Sequence, residues 1–349
     1  MITYDGIIFS SGNKLGGVSV YFRELLRQAA QVEQIQVIVH DANISPLDIH
    51  VGPEQLVLRP PRLLERFRSL ANLPGGLLHS SYYRTSRQPG VRNVVTVYDF
   101  TYEKFATVIR ATVHTWQKRD AIMRSDAVIC ISHNTRRDLQ KYVPEYPEEK
   151  IFVTHLAASE HFKPVASTTP TLTTQPYVLF VGGRAGYKNF STAVEAVKLI
   201  DDIALVCVGG GTFTPQERAL LDGALLGRYF HAGPVGAAQL NEFYNGAVCL
   251  LYPSLYEGFG IPPLEAMQAG CPFVALNRSS IPEVAGEAGI LIDEPDPQLI
   301  AAAVNECRNA GRRLQMCTLG FEQAAKFSWD KTFNETLSIY RQLLEGSLA

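Results

Sequence analysis

Short apolar runs rich in β-branched residues alternate with helical patterns along almost the whole chain. This alternation is typical of parallel sheets whose faces are covered by helices. In the first half, it predicts strands at Ile2–Phe9, Ile35–His40, Asn93–Tyr98 and Ala127–Ile131. It predicts helices at Val18–Gln31, Thr107–Arg124 and Asn134–Lys141, with Ser132 as the N-terminal cap of the last.

A second series of the same kind follows a proline- and threonine-rich stretch at residues 163–176, which cannot hold a packed element and is predicted to be a linker. The strands predicted after it are Tyr177–Val181, Ala204–Val208, Val248–Leu251 and Pro272–Leu276. The helices predicted between them are Phe190–Ile200, Pro215–Leu226, Ala237–Asn245 and Pro263–Ala269. The expected organisation is therefore an α/β domain at residues 1–162 and a second at residues 177–329, with helical segments continuing to residue 344.

Composition supports a folded chain of two domains, because 349 residues are 46% hydrophobic and 19% charged. The net charge of −2 excludes a general nucleic-acid binder. Residues 1–162 carry 19 Lys and Arg against 16 Asp and Glu, whereas the rest carries 13 against 18. A mildly basic first half suits an anionic acceptor or an anionic membrane surface.

The six cysteines lie far apart, without a C-x-x-C pair or a histidine cluster, so we expect no zinc site and a reducing compartment. No signal peptide and no run of 18 apolar residues is found. We therefore expect a cytoplasmic protein, with the inner face of the cytoplasmic membrane as a further location.

The strongest candidate site is the segment YEGFGIPPLEAM at Tyr256–Met267, where a predicted strand ends and a helix begins near Pro262. Proline is favourable there because its missing N–H would have no partner in the first helical turn. A helix start with exposed amides binds anions. The amides expected to face a ligand are those of Phe259, Gly260 and Ile261.

Glycines and carboxylates complete this candidate site. Gly258 and Gly260 would let a ligand approach the backbone closely. Glu257 and Glu265 would both border the opening in front of this helix N-terminus, where carboxylates can bind sugar hydroxyls. The alternative interpretation is a capped helix with two solvated glutamates.

A second candidate is the segment YVLFVGGRAGYKN at Tyr177–Asn189, in which a buried strand runs into two glycines. Arg184 and Lys188 follow on the loop and the helix start, where two cations could neutralise a diphosphate. Solvated charges are the alternative for this segment alone. Combined with the first candidate, the two cations predict a diphosphate clamp.

Four weaker candidate segments remain. Gly16 and Gly17 would open a helix with bare amides, or form an ordinary tight turn. Tyr98 and Asp99 end a buried strand, where open α/β sheets place ligand contacts. The alternative is a pair of strand-end residues whose hydrogen bonds are satisfied locally. Val206–Thr212, VCVGGGT, lacks the third glycine and the acidic residue of a dinucleotide fingerprint, so we reject NAD and FAD binding.

The fourth segment is basic and could dock on anionic lipid, although a solvated basic segment is favoured. Its arginines Arg59, Arg62, Arg66 and Arg68 lie among the apolar residues Leu63, Leu64 and Phe67.

The combined motifs resemble the family-four retaining glycosyltransferases. The resemblance rests on EGFGIPPLE with its Glu-x7-Glu spacing, on GGRAGYKN, on GGV near the N-terminus and on PEVAGEAGILID at Pro282–Asp293. More narrowly, the chain resembles the mannosyltransferase-B-like branch of bacterial surface-polysaccharide enzymes. The resemblance implies a GT-B architecture, with two Rossmann-like domains facing a cleft and the last helix, at 330–346, packing back on the first domain.

The resemblance also implies a UDP- or GDP-hexose donor, a glycan or polyprenyl-linked acceptor, and neither a metal nor a cofactor. It assigns the donor diphosphate to Lys188, with Arg184 sharing that role. It assigns the donor sugar to Glu257 and the ribose hydroxyls to Glu265. Backbone near Val235 would meet the base, and Gly16 and Gly17 would approach the phosphates.

One departure from the family concerns Tyr98, which stands where many members carry a histidine that contacts the transferred sugar. Tyrosine is no base at neutral pH, so the substitution favours a mechanism in which the leaving phosphate takes the acceptor proton. Two rival interpretations remain: a nonhydrolysing sugar-nucleotide epimerase, and a catalytically silent nucleotide-sugar-binding partner.

Overall fold

The computed structural model describes residues 1–10, 16–105, 108–166 and 173–346. The chain forms two compact units. The first comprises Met1–Leu156 together with Ser328–Ala349, and the second comprises Ala157–Phe327. No helix in the described ranges combines the length and apolarity that a membrane span requires.

The first unit is built on a seven-stranded parallel sheet in the order β3-β2-β1-β4-β5-β6-β7. Its strands are β1 Ile2–Asp5, β2 Ile35–Val39, β3 Leu56–Leu58, β4 Gly76–Ser80, β5 Val91–Val97, β6 Ala127–Cys130 and β7 Ile151–Val153. Its first five helices are α1 Ile7–Ser10, α2 Gly17–Val32, α3 Thr101–Phe105, α4 Val108–Met123 and α5 His133–Tyr142. Most of these strands consist of continuous apolar runs, because helices cover both faces of the sheet.

The second unit contains a six-stranded parallel sheet in the order β10-β9-β8-β11-β12-β13. Its strands are β8 Tyr177–Val181, β9 Ala204–Val208, β10 Tyr229–Gly233, β11 Cys249–Tyr252, β12 Phe273–Leu276 and β13 Ile290–Ile292. Its helices are α6 Phe190–Lys198, α7 Pro215–Leu225, α8 Ala237–Gly246, α9 Ile261–Ala269, α10 Ile281–Ala285, α11 Pro297–Glu306 and α12 Ala310–Ala324. The predicted α/β class, with two Rossmann-like doubly wound sheets, is confirmed.

The last helix, α13 at Trp329–Leu344, packs against α2 within the first unit. Its Tyr340 is fully buried, and its hydroxyl bonds to Nδ1 of His79 on β4. His79 Nε2 bonds to Thr96 Oγ1 at 2.8 Å, and burial lowers the pKa of His79 to about 3. This histidine is therefore neutral and structural, and it joins the sheet to the last helix.

Several predicted boundaries differ from the structure. The strand predicted at Ile2–Phe9 ends at Asp5, because the chain turns into α1 at Ile7, where Phe9 N donates to Gly6 O at 3.1 Å. The unit boundary follows Leu156 rather than residue 162, since Phe162 packs edge-on against Tyr244 of the second unit. The predicted linker lies partly outside the described residues, which resume at 173. Ser132 caps α5 as expected, accepting from Thr135 N.

Candidate functional site

The loops after β8 and β11 are neighbours in the second unit, because these two strands pair at the point where the strand order reverses. Open α/β sheets bind ligands in the crevice at such a point. A backbone hydrogen bond of 2.8 Å from Leu255 N to Tyr187 O joins the two loops. The crevice of the second unit therefore lies between the segments that the sequence singled out.

Lys188 and Glu257 meet across these loops, with 2.6 Å between Nζ and Oε1. Lys188 is the last residue of a short 3₁₀ turn at Gly186–Lys188, and Asn189, with φ of 56°, joins this turn to α6. The Lys188 ammonium also lies 5.5 Å from the ring centroid of Tyr252. The two side chains are 18% and 12% exposed, so the pair is accessible to a ligand and only partly desolvated.

Two serines hold the loop that carries Glu257. Ser279 Oγ accepts from the Glu257 amide at 2.9 Å, and Ser280 Oγ donates to the carbonyls of Glu257 and Phe259. Ser280 is fully buried. Sequence reasoning missed both residues, and a capping signal before the short helix α10 would not have revealed this role, because Ser280 makes no side-chain cap hydrogen bond there.

Helix α9 begins at Ile261, so its N-terminus lies next to Glu257 in the chain. Gly260 precedes it with φ of 111°, and a Cβ there would come within 2.8 Å of Ile281 Cδ1. Glycine is required at this position for both reasons. Phe259 is buried and contacts Phe327 edge-on, whereas Gly258 is half-buried.

Glu265 lies on the second turn of α9 and accepts a hydrogen bond of 2.8 Å from the Tyr244 hydroxyl. Burial raises the pKa of Glu265 to about 7, and this hydrogen bond opposes the rise only in part. The side chain can therefore carry a proton near neutrality and can both donate and accept hydrogen bonds. Burial raises the pKa of the Tyr252 hydroxyl well above its ordinary value, and the charges of Glu257 and Glu265 add to the rise.

Arg184 lies on the loop after β8, but its side chain, which is 3% exposed, reaches away from the Lys188–Glu257 pair. Its Nε donates to Glu217 at 3.0 Å, and its two terminal nitrogens donate to the carbonyls that follow β9. Those carbonyls belong to Gly209, Gly210, Gly211 and Thr212, at 2.9 to 3.1 Å. In this structure the guanidinium is engaged by the turn after β9, and its share in a diphosphate clamp stays a prediction.

Val235, expected near the base, is half-buried in the short connection between β10 and α8. In the first unit, Gly16 precedes α2 in an extended conformation without a side-chain cap, and Gly17 is the first helical residue. Residues 11–15 of that predicted segment lie outside the described residues. Gly16 and Gly17 therefore keep their predicted place at a helix N-terminus.

Tyr98 and Asp99 follow β5 and are both engaged locally. Tyr98 is buried, its hydroxyl donates to Ser81 O at 3.3 Å, and burial raises its pKa well above the ordinary value. Asp99 Oδ1 accepts from Thr101 N at 2.9 Å, and its backbone oxygen accepts from Lys118 at 2.8 Å. These contacts agree with the alternative of a satisfied strand-end pair.

A buried charge network in the first unit was not predicted. Arg84 donates to Asp5 at 3.1 Å, to Glu65 at 2.7 Å and to His40 Nε2 at 3.1 Å. Each of the four side chains is at most 6% exposed. Although burial alone would raise it, hydrogen bonds from Arg62 and the charge of Arg84 lower the pKa of Glu65 to about 2.

Comparison with known proteins identifies sequence relatives of this chain. Residues 167–317 match the family model "Glycosyl transferases group 1". The chain is 25% identical to O-antigen chain mannosyltransferase B of Escherichia coli, over 94% of this chain and 97% of that protein.

Two solved structures share the fold over nearly their whole length. Sucrose-phosphate synthase of Thermosynechococcus elongatus superposes with a TM-score of 0.79 at 21% identity, covering 99% of both chains. The HepE protein of Anabaena in complex with UDP-glucose gives 0.74 at 15% identity, covering 97% of this chain and 99% of that one.

Proposed function

This chain carries a group 1 glycosyl transferase domain, and we propose from that premise that it is a retaining, metal-independent hexosyltransferase. The donor is a UDP- or GDP-sugar, and the acceptor is a glycan or a lipid-linked glycan in surface-polysaccharide synthesis. The mannosyltransferase named among its relatives favours mannose as the transferred sugar. A structural neighbour that holds UDP-glucose supports a nucleotide-sugar donor.

The observation that carries the proposal is the Lys188–Glu257 pair at the crevice of the second unit. A lysine ammonium is a compact charge that suits a diphosphate leaving group. Before donor binds, Glu257 neutralises Lys188 and holds it in place. When the diphosphate takes over as the counter-ion, Glu257 becomes available to the hydroxyls of the donor sugar.

Catalysis in this scheme consists of charge stabilisation and positioning. The acceptor hydroxyl attacks the anomeric carbon on the face from which the phosphate departs. The carbon–phosphate oxygen bond breaks, the new glycosidic bond forms, and the acceptor proton passes to the departing phosphate. No side-chain base is needed, which fits the local hydrogen bonds of Tyr98 and Asp99.

Metal independence rests on Lys188 as the cation and on a sequence without a D-x-D motif. A thermal-shift panel of UDP, GDP and their sugars selects the donor, because a bound ligand stabilises the folded protein. Transfer from that donor should continue in EDTA. Complete loss of transfer on chelation, restored by Mn²⁺ or Mg²⁺, would overturn metal independence.

The same assay separates the two rival functions. Slow release of nucleoside diphosphate without acceptor is expected of a transferase, whereas a silent binding partner releases none. An epimerase converts the donor into its sugar epimer without any acceptor. Nuclear magnetic resonance of the donor pool after incubation therefore distinguishes all three.

Peripheral association with an anionic membrane is proposed for an apolar-basic face of the first unit, consisting of Leu63, Leu64, Phe67 and Trp116 with Arg62 and Arg66. Leu63 and Trp116 are 82% and 61% exposed, and a hydrogen bond of 2.6 Å from Gln117 Nε2 to Arg66 O joins the two segments. Exposed apolar side chains among arginines suit a lipid–water interface.

Sedimentation with phosphatidylglycerol vesicles tests this face. The double variant Leu63→Asn, Leu64→Asn should bind the vesicles several-fold more weakly than the unaltered chain. Leu47→Asn is the matched control, because Leu47 is equally exposed at 82% on a separate turn. Equal binding by the double variant and the control would contradict the proposal.

A further inference from the structure

The loop between β8 and α6 carries two cationic side chains that reach in opposite directions. One reaches toward the loop after β11 and the other toward the loop after β9. Lys188 reaches the loop after β11, on one side of β8, and bonds to Glu257. Arg184 reaches the loop after β9, on the other side of β8. One loop therefore supplies two cations to two different segments, and only Lys188 lies at the crevice.

A turn of three successive glycines surrounds the Arg184 guanidinium. Gly209, Gly210 and Gly211 have φ of 77°, 72° and 71°, a left-handed run that only glycine adopts readily. Their carbonyls, with that of Thr212, all accept from the guanidinium. A Cβ on Gly210 would lie 2.6 Å from Arg184 Nη1 and 2.5 Å from Gly182 O. The turn and the arginine side chain therefore determine each other's position.

This arginine is also linked to β10. Its guanidinium carbon lies 4.8 Å from the Phe213 ring centroid, and Phe213 lies 4.9 Å from the ring of His231. His231 Nε2 is 3.0 Å from Gly209 O, so β10 is tied to the same turn. Strand β10 leads directly into the connection that contains Val235.

Release of Arg184 toward a diphosphate would leave four carbonyls and the Glu217 carboxylate without their cationic donor. Guanidinium hydrogen bonds to a carboxylate are among the stronger ones in proteins, and Arg184, whose side chain is 3% exposed, would give up all five of these contacts at once. Lys188 already supplies a cation at the crevice. We propose that Arg184 is a positioning residue: it fixes the glycine turn and the β10–α8 connection at the carboxyl ends of β9 and β10, where open α/β sheets bind ligands, and so supports nucleotide binding through this turn rather than by contacting the diphosphate.

This inference rests on the proposed nucleotide-sugar donor, so the test begins with calorimetric titration of UDP, UMP, GDP and GMP into the unaltered protein. The diphosphate and the monophosphate of the nucleoside that binds are then used in all later titrations. Absence of binding by all four would overturn the proposed donor and this inference with it. The quantity compared is the ratio of diphosphate to monophosphate affinity.

Arg184→Lys keeps the charge but loses the planar fork. We expect it to weaken diphosphate and monophosphate binding by the same factor, about tenfold or more, with kcat at saturating donor nearly unchanged. Lys188→Ala should instead reduce the ratio and lower kcat. Arg218→Lys, an exposed arginine on α7, is the matched control and should bind like the unaltered chain.

Gly210→Ala provides a second route, because it displaces the turn while Arg184 remains. It should reproduce the uniform loss seen in Arg184→Lys, with a ligand-free circular dichroism spectrum like that of the control. Loss of diphosphate affinity alone in Arg184→Lys, or unaltered binding by Gly210→Ala, would overturn the positioning role. Either result would leave the proposed glycosyl transfer intact.

Discussion

The two sheets share the strand order 3-2-1-4-5-6, yet the crevices at their order reversals hold different chemistry. In the second unit, Lys188 and Glu257 form a partly exposed pair on the loops after the two central strands. In the first unit, the equivalent strands end at Asp5 and Ser80, and Arg84 bonds to Asp5 through a side chain that is 1% exposed. The topology supplies the crevice, and the loop residues decide whether the charged pair beside it is exposed to a ligand, as in the second unit (the open crevice), or buried within the unit, as in the first (the filled crevice).

The filled crevice should matter for stability. Arg84→Ala leaves Asp5 buried without its cation, which is expected to cost about 3–5 kcal/mol of unfolding free energy. Both tryptophans, Trp116 and Trp329, belong to the first unit, so fluorescence during urea unfolding follows that unit alone. Arg92→Ala removes a largely exposed pair and serves as the control, with an expected loss below about 1 kcal/mol. Equal losses in the two variants would remove the distinction between the crevices.

The open crevice should matter for rate. Lys188→Ala and Glu257→Ala should each lower turnover by about 10²–10³, the usual effect of losing one preorganised charge contact. Their ligand-free melting temperatures should change little, because the pair is only partly desolvated. Lys198→Ala, on the exposed side of α6, is the matched control. Near-normal turnover in either site variant would contradict the assignment of the crevice.

Sequence reasoning located most of the open crevice but little of the filled one. The strands at Tyr177–Val181 and Ala204–Val208 were predicted to the residue, because continuous apolar runs bounded by glycines are strong local signals. Strand β4 was missed although it is central, since His79 and Ser80 interrupt its apolar pattern. Contacts between distant residues, such as Arg84 with Asp5 or Arg184 with the glycine turn, depend on the tertiary fold and leave no local pattern.

A pH dependence is expected from Glu265. Its folded pKa of about 7 lies above the ordinary value, so its stabilising contribution is present at low pH and is lost as pH rises through 7. The melting temperature of the unaltered chain minus that of Glu265→Gln should therefore fall between pH 5 and pH 8. Glu242→Gln, an exposed glutamate on α8, should give a flat difference. A flat difference for Glu265→Gln as well would mean that its pKa is ordinary.

The smallest effects are expected at the end of β5. Tyr98→Phe removes one hydrogen bond to Ser81 O, worth roughly 0.5–1.5 kcal/mol or about 2–13-fold in turnover. Asp99→Asn should be similarly mild, because an amide oxygen can still accept from Thr101 N. Steady-state kinetics with the selected donor measures both. A loss beyond about 10⁴-fold in Asp99→Asn alone would show that this carboxylate acts as a base or nucleophile.

The stereochemistry of the product tests the central claim most directly. If the leaving phosphate accepts the proton and no side chain acts as base or nucleophile, an α-linked donor must give an α-linked product. Proton nuclear magnetic resonance of the new anomeric centre, recorded early in the reaction, distinguishes the two configurations. The account predicts the α-anomer, and a β-linked product from an α-donor would contradict it.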